Sequence, residues 1–162
     1  MFSPELKKLS QEIGTLLLAK KQVLTLAESC TGGLISALIT DTAGSSAWFD
    51  SSLITYSNKA KQDLLKVQQS SLDQYGAVSE QVAMEMAIGA LQQGRATIAA
   101  SVTGIAGPEG GSPAKPIGTV CFAWTSEGLP SKSRTYLFEG SREQIREQSA
   151  IALLLELQEI LN

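Results

Sequence analysis

The sequence contains no histidine, which removes the commonest catalytic base and metal ligand together. Ser-His and Cys-His catalysis are excluded, as is every zinc site that requires an imidazole. Cysteine is nearly absent as well: Cys30 and Cys121 are too few for a disulfide framework and read as free thiols, one in a turn and one in a strand. Carboxylates do not cluster, so no metal site and no cofactor are expected. Thirteen Lys and Arg stand against sixteen Asp and Glu, and no run of like charge exceeds a pair. That balance argues against a nucleic-acid partner. No apolar stretch reaches transmembrane length, and Met1-Phe2-Ser3-Pro4-Glu5 lacks the basic and apolar segments of a signal peptide. The expectation is a cytoplasmic protein without membrane contact.

What is present suits one globular domain over residues 1–162, with 43% hydrophobic residues and no internal repeat. The organising stretch is Ala27-Glu28-Ser29-Cys30-Thr31-Gly32-Gly33. It follows the apolar run Val23-Leu24-Thr25-Leu26 and precedes Leu34, Leu38 and Ile39 at helical spacing, so it reads as strand, sharp turn, helix. In an open α/β sheet, ligands bind at such strand ends, beside the positive N-terminus of the next helix. Ser29 and Cys30 are both candidate nucleophiles, and Gly32 and Gly33 allow backbone amides to approach a ligand. Glu28 either accepts a ligand hydroxyl or holds the turn. The plainer alternative for the whole stretch is a helix cap with a flexible corner.

Elsewhere, Ser3 and Pro4 open a first helix with Leu6, Leu9, Ile13, Leu16 and Leu17 on one face. Trp48-Phe49 reads as an apolar anchor, Ser51 to Ser57 as a second strand, and Asn58 as the cap of a short helix bearing Lys59 and Lys61. Ser79 caps a helix with Val82, Ala83, Met86, Ala87, Ala90 and Leu91 on one face, and Ala96 to Val102 is a strand covered on both faces. Thr103 to Pro116 holds four glycines and three prolines in fourteen residues, a long loop of the kind that carries function. Ile117 to Trp124 and Ser133 to Phe138 form a hairpin through Glu127-Gly128-Leu129-Pro130. A capping box at Ser141 to Gln144 starts a last helix with Ile145, Ile151, Leu154, Leu155 and Leu161 as its stripe.

Three segments thus place polar residues at strand ends: the Ser29 turn, Tyr56 to Lys61, and Thr103 to Lys115. Ser29 would attack a substrate, Lys61 would take its proton, and Tyr56 would relay or orient it. For that, Lys61 must be held well below lysine's ordinary value of about 10.4, with burial as the main cause.

At these residues the sequence resembles the CinA C-terminal domain family. The resemblance rests on Glu28-Ser29-Cys30-Thr31-Gly32-Gly33, Tyr56-Ser57-Asn58-Lys59-Ala60-Lys61, Tyr75-Gly76-Ala77-Val78-Ser79-Glu80, Thr103-Gly104-Ile105-Ala106-Gly107-Pro108 and Lys115-Pro116-Ile117-Gly118-Thr119-Val120, in order and spacing across nearly the whole chain. It implies a three-layer α/β/α sandwich around a mostly parallel mixed sheet with an antiparallel edge strand. It also implies a homodimer that needs no metal and deamidates nicotinamide mononucleotide to nicotinic acid mononucleotide and ammonia. The family's serine nucleophile carries over to Ser29, its lysine base to Lys61 and its assisting tyrosine to Tyr56. Lys59, Ser51-Ser52 and Ala114 depart from the family pattern, where Glu, Gly-Gly and an acidic residue are common. The separate N-terminal pyrophosphatase-like domain of larger relatives is not expected in a chain this short.

A nucleotide substrate needs phosphate recognition, and Arg142, at the start of the last helix, is the candidate; its plainer role is a surface arginine paired with Glu143 or Glu139. The backbone of Gly104, Ile105, Ala106 and Gly107 is the alternative cradle. Thr103 orients ligand or loop, Lys115 is a rim charge, and Arg146 is expected in solvent. The expected binding site is Glu28, Cys30, Thr31, Gly32, Gly33, Thr103, Gly104, Ile105, Ala106, Gly107 and Arg142. Two rivals remain open at this point: a catalytically silent nucleotide-binding paralogue, and a route using Cys30 with Lys61 and Glu28.

Overall fold

A computed structural model describes residues 1–162. The strands are β1 (Leu24–Glu28), β2 (Phe49–Ile54), β3 (Ile98–Gly104), β4 (Thr119–Ser126) and β5 (Leu129–Leu137). The helices are α1 (Pro4–Ala19), α2 (Leu34–Thr40), α3 (Asn58–Leu65), α4 (Gln69–Tyr75), α5 (Glu80–Leu91) and α6 (Arg142–Leu161). One sheet runs β2-β1-β3-β4-β5. The β2, β1 and β3 strands pair in parallel, whereas β4 pairs antiparallel with both β3 and β5. This is the three-layer mixed architecture the sequence led us to expect.

Strand periodicity divides the core in two. Leu24 and Leu26 of β1, Ile98, Ala100 and Val102 of β3, and Val120, Phe122 and Trp124 of β4 face α1, α2 and α6. Their neighbours Ala27, Ala99, Cys121 and Ala123 face α3, α4 and α5. The second face is built from small residues, so α5 lies close to the sheet. It lies close to α3 too: a Cβ at Gly89 would meet the Leu65 carbonyl at 2.0 Å, so only glycine fits there. That contact fixes the helix carrying Lys61.

Several boundaries differ from the sequence reading. β2 begins at Phe49 and ends at Ile54, leaving Thr55 and Tyr56 beyond the strand. Ser57, not Asn58, caps α3, its hydroxyl accepting from the Ala60 amide at 3.0 Å. Leu129 and Pro130 lie inside β5, so the hairpin turn is only Glu127-Gly128. The α4 helix was not anticipated, because Leu72 is its only buried apolar residue. In α6 the buried stripe runs through Leu153 and Leu157, while Leu155 is exposed. The caps at Ser3, Ser79 and Ser141 fall where the sequence put them, the last as a complete capping box.

Register sets the site. Glu28 lies opposite Ile54 on one side and Val102 on the other, so β1 and β2 end level and β3 runs two residues further, to Gly104. Ser29 and Thr55, just past β1 and β2, and Thr103, near the end of β3, form one rim.

Candidate active site

The turn after β1 is built around a carboxylate. Glu28 is fully buried, and its oxygens accept from the Thr31 hydroxyl (2.7 Å), the amides of Gly33 (3.0 Å), Ile35 (3.2 Å) and Ser36 (2.9 Å), and the Ser52 hydroxyl (3.1 Å). A carboxylate offers roughly four lone-pair sites, so this one is saturated. It supplies the anion that the first turn of α2 lacks, since the cap residue Gly33 has no side chain. Of the two roles open to Glu28 from the sequence, contact with a ligand hydroxyl therefore gives way to holding the turn.

Gly32 and Gly33 take φ of 58° and 98°, which lets the chain double back. Their amides, expected to face a ligand, are used within the turn: Gly32 donates to the Ser29 carbonyl at 3.0 Å and Gly33 to Glu28. The amides without an acceptor in the chain are those of Cys30 and Thr31, directly after Ser29.

Lys61 is 1% exposed, and its Nζ lies 3.0 Å from Ser29 Oγ, 2.9 Å from the Thr55 carbonyl and 3.3 Å from the Tyr56 carbonyl. The lysine reaches them because helical side chains lean towards the N-terminus of their helix, here towards the segment between β2 and α3. No carboxylate pairs with it. Burial pushes its pKa down from 10.5 to about 8. Lys59, the neighbouring cation, points outward to Asp63 at 2.8 Å, which leaves burial as the cause. A neutral amine has two N–H bonds and one lone pair. The two carbonyls take the N–H bonds, and the lone pair is left for the Ser29 hydroxyl proton.

Cys30 is the poorer nucleophile of the two candidates. Its thiol is packed into the core beneath the turn, and burial pushes its pKa up to about 12. The raised thiol and the occupied carboxylate both count against the route through Cys30, Lys61 and Glu28.

Tyr56 is 61% exposed, and its hydroxyl meets neither Ser29 nor Lys61; it accepts from Arg142 Nη2 at 3.0 Å. What Tyr56 gives Lys61 is its main-chain carbonyl. Arg142 also donates through Nη1 to the Gly107 carbonyl at 2.8 Å and pairs with no carboxylate, neither Glu143 nor Glu139. The two phosphate-binding candidates are therefore neighbours rather than alternatives. Beside Arg142, the amides of Ala106 and Gly107 make no hydrogen bond within the chain, whereas Ile105 donates to the Thr119 carbonyl and Gly104 is packed against Val120. Thr103 orients the loop, donating to the Ala77 carbonyl at 2.9 Å, and Lys115 donates to the Tyr75 carbonyl.

Three participants were not found from the sequence. Arg146 donates to the carbonyls of Cys30 (3.1 Å) and Thr31 (2.9 Å) rather than standing in solvent. Ser52 braces Glu28. Thr55 supplies a carbonyl to Lys61, and its Oγ1 is the only buried side-chain polar atom without a partner. All three act through main-chain groups or a distant strand, for which residue type at a sequence position gives no signal. No cluster of three or more Cys, Asp or Glu has the geometry to hold a metal.

The chain is similar to known proteins over most of its length. The CinA C-terminal domain model matches residues 6–161. A protein of Enterobacter agglomerans named nicotinamide-nucleotide amidohydrolase PncC is 54% identical over 151 residues, covering 93% of this chain and 92% of its own. The protein of that name from Escherichia coli strain K12 is 48% identical over 157 residues, covering 97% and 95%. The crystal structure of the competence/damage inducible protein CihA from Agrobacterium tumefaciens superposes with a TM-score of 0.94 at 40% identity, over 100% of this chain and 98% of that one. Matched over residues 6–161 by the family model and over its whole length in fold, the chain belongs to the CinA C-terminal domain family.

Proposed function

We propose that the chain is a nicotinamide-nucleotide amidohydrolase that converts nicotinamide mononucleotide to nicotinic acid mononucleotide and ammonia, with Ser29 as nucleophile and Lys61 as general base. The observation that carries the reading is the buried contact between Ser29 and a lysine held near pKa 8. The names of the relatives supply the substrate.

In this reading Ser29 Oγ attacks the carboxamide carbon while its proton passes to Lys61 Nζ. The carbonyl oxygen becomes an oxyanion facing the free amides of Cys30 and Thr31, the position that follows the nucleophile in a strand-to-helix elbow. Lys61 then returns the proton to the departing nitrogen, and ammonia leaves. Water attacks the resulting Ser29 ester, again losing a proton to Lys61, and the ester collapses to the acid as Ser29 recovers its hydrogen. Lys61 cycles between neutral and charged forms, so a pKa near the working pH suits it.

Arg142 and the amides of Ala106 and Gly107, at the positive end of α6, receive the phosphate in this reading, with the Tyr56 hydroxyl holding Arg142 over the site. Tyr56 assists by orienting Arg142 and by lending Lys61 its carbonyl. The reading includes a homodimer, checked by light scattering, and a cytoplasmic location, checked by fractionation. The activity itself is tested by incubating the protein with nicotinamide mononucleotide and measuring ammonia and the acid product, with Ser29→Ala as control. Ammonia from the wild type alone supports the reading. Nucleotide binding without turnover would return the chain to a silent nucleotide-binding role.

A further inference from the structure

Arg146 sits one helical turn beyond Arg142 but turns to the main chain of the Ser29 turn, and it pairs with no carboxylate. Its two bonds bear on the two free amides. The one cis peptide bond in the chain is Gly107–Pro108, so the units of this turn are trans, with each N–H pointing opposite to the C=O of its own unit. Arg146 Nε holds the Cys30 carbonyl at 3.1 Å, and the N–H of the same unit, that of Thr31, therefore points away from the guanidinium. Its Nη2 holds the Thr31 carbonyl at 2.9 Å, which fixes the unit containing the Gly32 N–H. That N–H donates to the Ser29 carbonyl at 3.0 Å and so sets the Cys30 N–H on the opposite side. Arg146 thus bears directly on the unit of the Thr31 amide and, through the Gly32–Ser29 bond, on that of the Cys30 amide.

We infer that Arg146 is a positioning residue for catalysis: it aims the Cys30 and Thr31 amides at the oxyanion formed on Ser29 and polarises the Thr31 amide through the Cys30 carbonyl. This rests on the proposed acyl transfer to Ser29. A cation on a peptide oxygen draws charge from the nitrogen and strengthens its N–H as a donor. The turn itself has a separate anchor in Glu28, which binds the Thr31 hydroxyl and the Gly33 amide. Loss of Arg146 therefore loosens the amides while leaving the turn folded.

The test compares wild type, Arg146→Ala and Arg146→Lys, using nicotinamide mononucleotide turnover and, independently of substrate, the rate at which a fluorophosphonate modifies Ser29, read by intact mass. Deleting an oxyanion donor outright costs roughly 10²–10³-fold, so Arg146→Ala is expected to lower kcat and the modification rate by at least about tenfold. KM should change little, the pH at which activity rises should stay in place, and added guanidinium ion at millimolar concentration should restore part of both rates. Arg146→Lys, whose single ammonium matches the forked contact poorly, should fall between. Modification of Arg146→Ala at the wild-type rate would overturn the inference, as would a loss that guanidinium does not repair or that appears only in KM. A wild type that is modified at Ser29 yet releases no ammonia would overturn the substrate and not the role of Arg146, which the modification rates decide. A wild type left unmodified would overturn both.

Discussion

Ser29 Oγ and Lys61 Nζ stand 3.0 Å apart although 32 residues separate them in the chain. The contact exists because β1 and β2 end level and because α3 turns its lysine back over the end of β2. With the Lys61 pKa at about 8, kcat/KM for the amide substrate is expected to rise with pH and level off above that value. Lys61→Arg should be nearly as damaging as Lys61→Ala, each losing at least about 10²-fold, because a guanidinium keeps the charge but cannot take the serine proton. Activity of both variants across the pH range is the measurement; a vigorous arginine variant with an unchanged profile would sink the Ser-Lys mechanism.

The two candidate nucleophiles separate cleanly. Ser29→Ala should abolish turnover and leave nucleotide binding largely intact. Cys30→Ala should keep substantial activity, since the thiol is buried and held protonated, with a pKa pushed up to about 12. Ammonia release by the two variants decides it, and the reverse pattern would move the nucleophile to Cys30.

Glu28 is expected to matter for stability before it matters for chemistry. Glu28→Gln keeps the shape but presents an NH₂ group to a site where the Thr31 hydroxyl and the Gly33, Ile35 and Ser36 amides all donate. Leaving buried donors unmatched and removing charge-assisted bonds should cost about 2–4 kcal/mol, read as a lower urea midpoint. An unchanged midpoint would show that the turn holds without its anion.

The sequence disclosed what depends on local pattern. Strand-turn-helix around Ser29 was legible because apolar periodicity changes on either side of the glycines. The caps at Ser3, Ser79 and Ser141 were legible because each precedes a helical pattern. At Ser57-Asn58 two good capping residues are adjacent, and nothing local chooses between them. The α4 helix carries one buried apolar residue, too few to show a period. Glu28 was left open between two roles, whereas Arg146 was misjudged, because its partners are main-chain carbonyls 115 and 116 residues away. A backbone carbonyl has no residue type to read.

Arg142 joins the tyrosine after β2 to the loop after β3, which sets up a test by subtraction. Arg142→Ala should weaken binding of the mononucleotide by about 1.5–3 kcal/mol, the range for hydrogen bonds to a charged group. Binding of the nucleoside without phosphate should change much less. Titration calorimetry with both ligands reads the difference, and equal losses would point to damage at the start of α6 instead.

The buried lysine should also leave a signature in stability that owes nothing to substrate. Its pKa is about 8 in the folded chain against 10.5 for the ordinary group. Between those values the unfolded chain carries a proton that the folded chain lacks, so stability rises with pH through this window. Below about 8 both states are charged and the full penalty of the buried ammonium is present; above 10.5 both are neutral and it is gone. Cys30 and Cys121 act in the opposite sense at high pH, because burial raises both thiols and the folded chain keeps protons that the unfolded chain loses. A comparison with Lys61→Met removes them, since both proteins share the cysteines. From about pH 6.5 to about pH 10 the wild type should gain roughly 2.5 kcal/mol relative to the variant, measured by urea unfolding at each pH. A difference that stays flat over that range would mean that Lys61 titrates in the folded protein as it does in the open chain, and the neutral base at Ser29 would lose its physical footing.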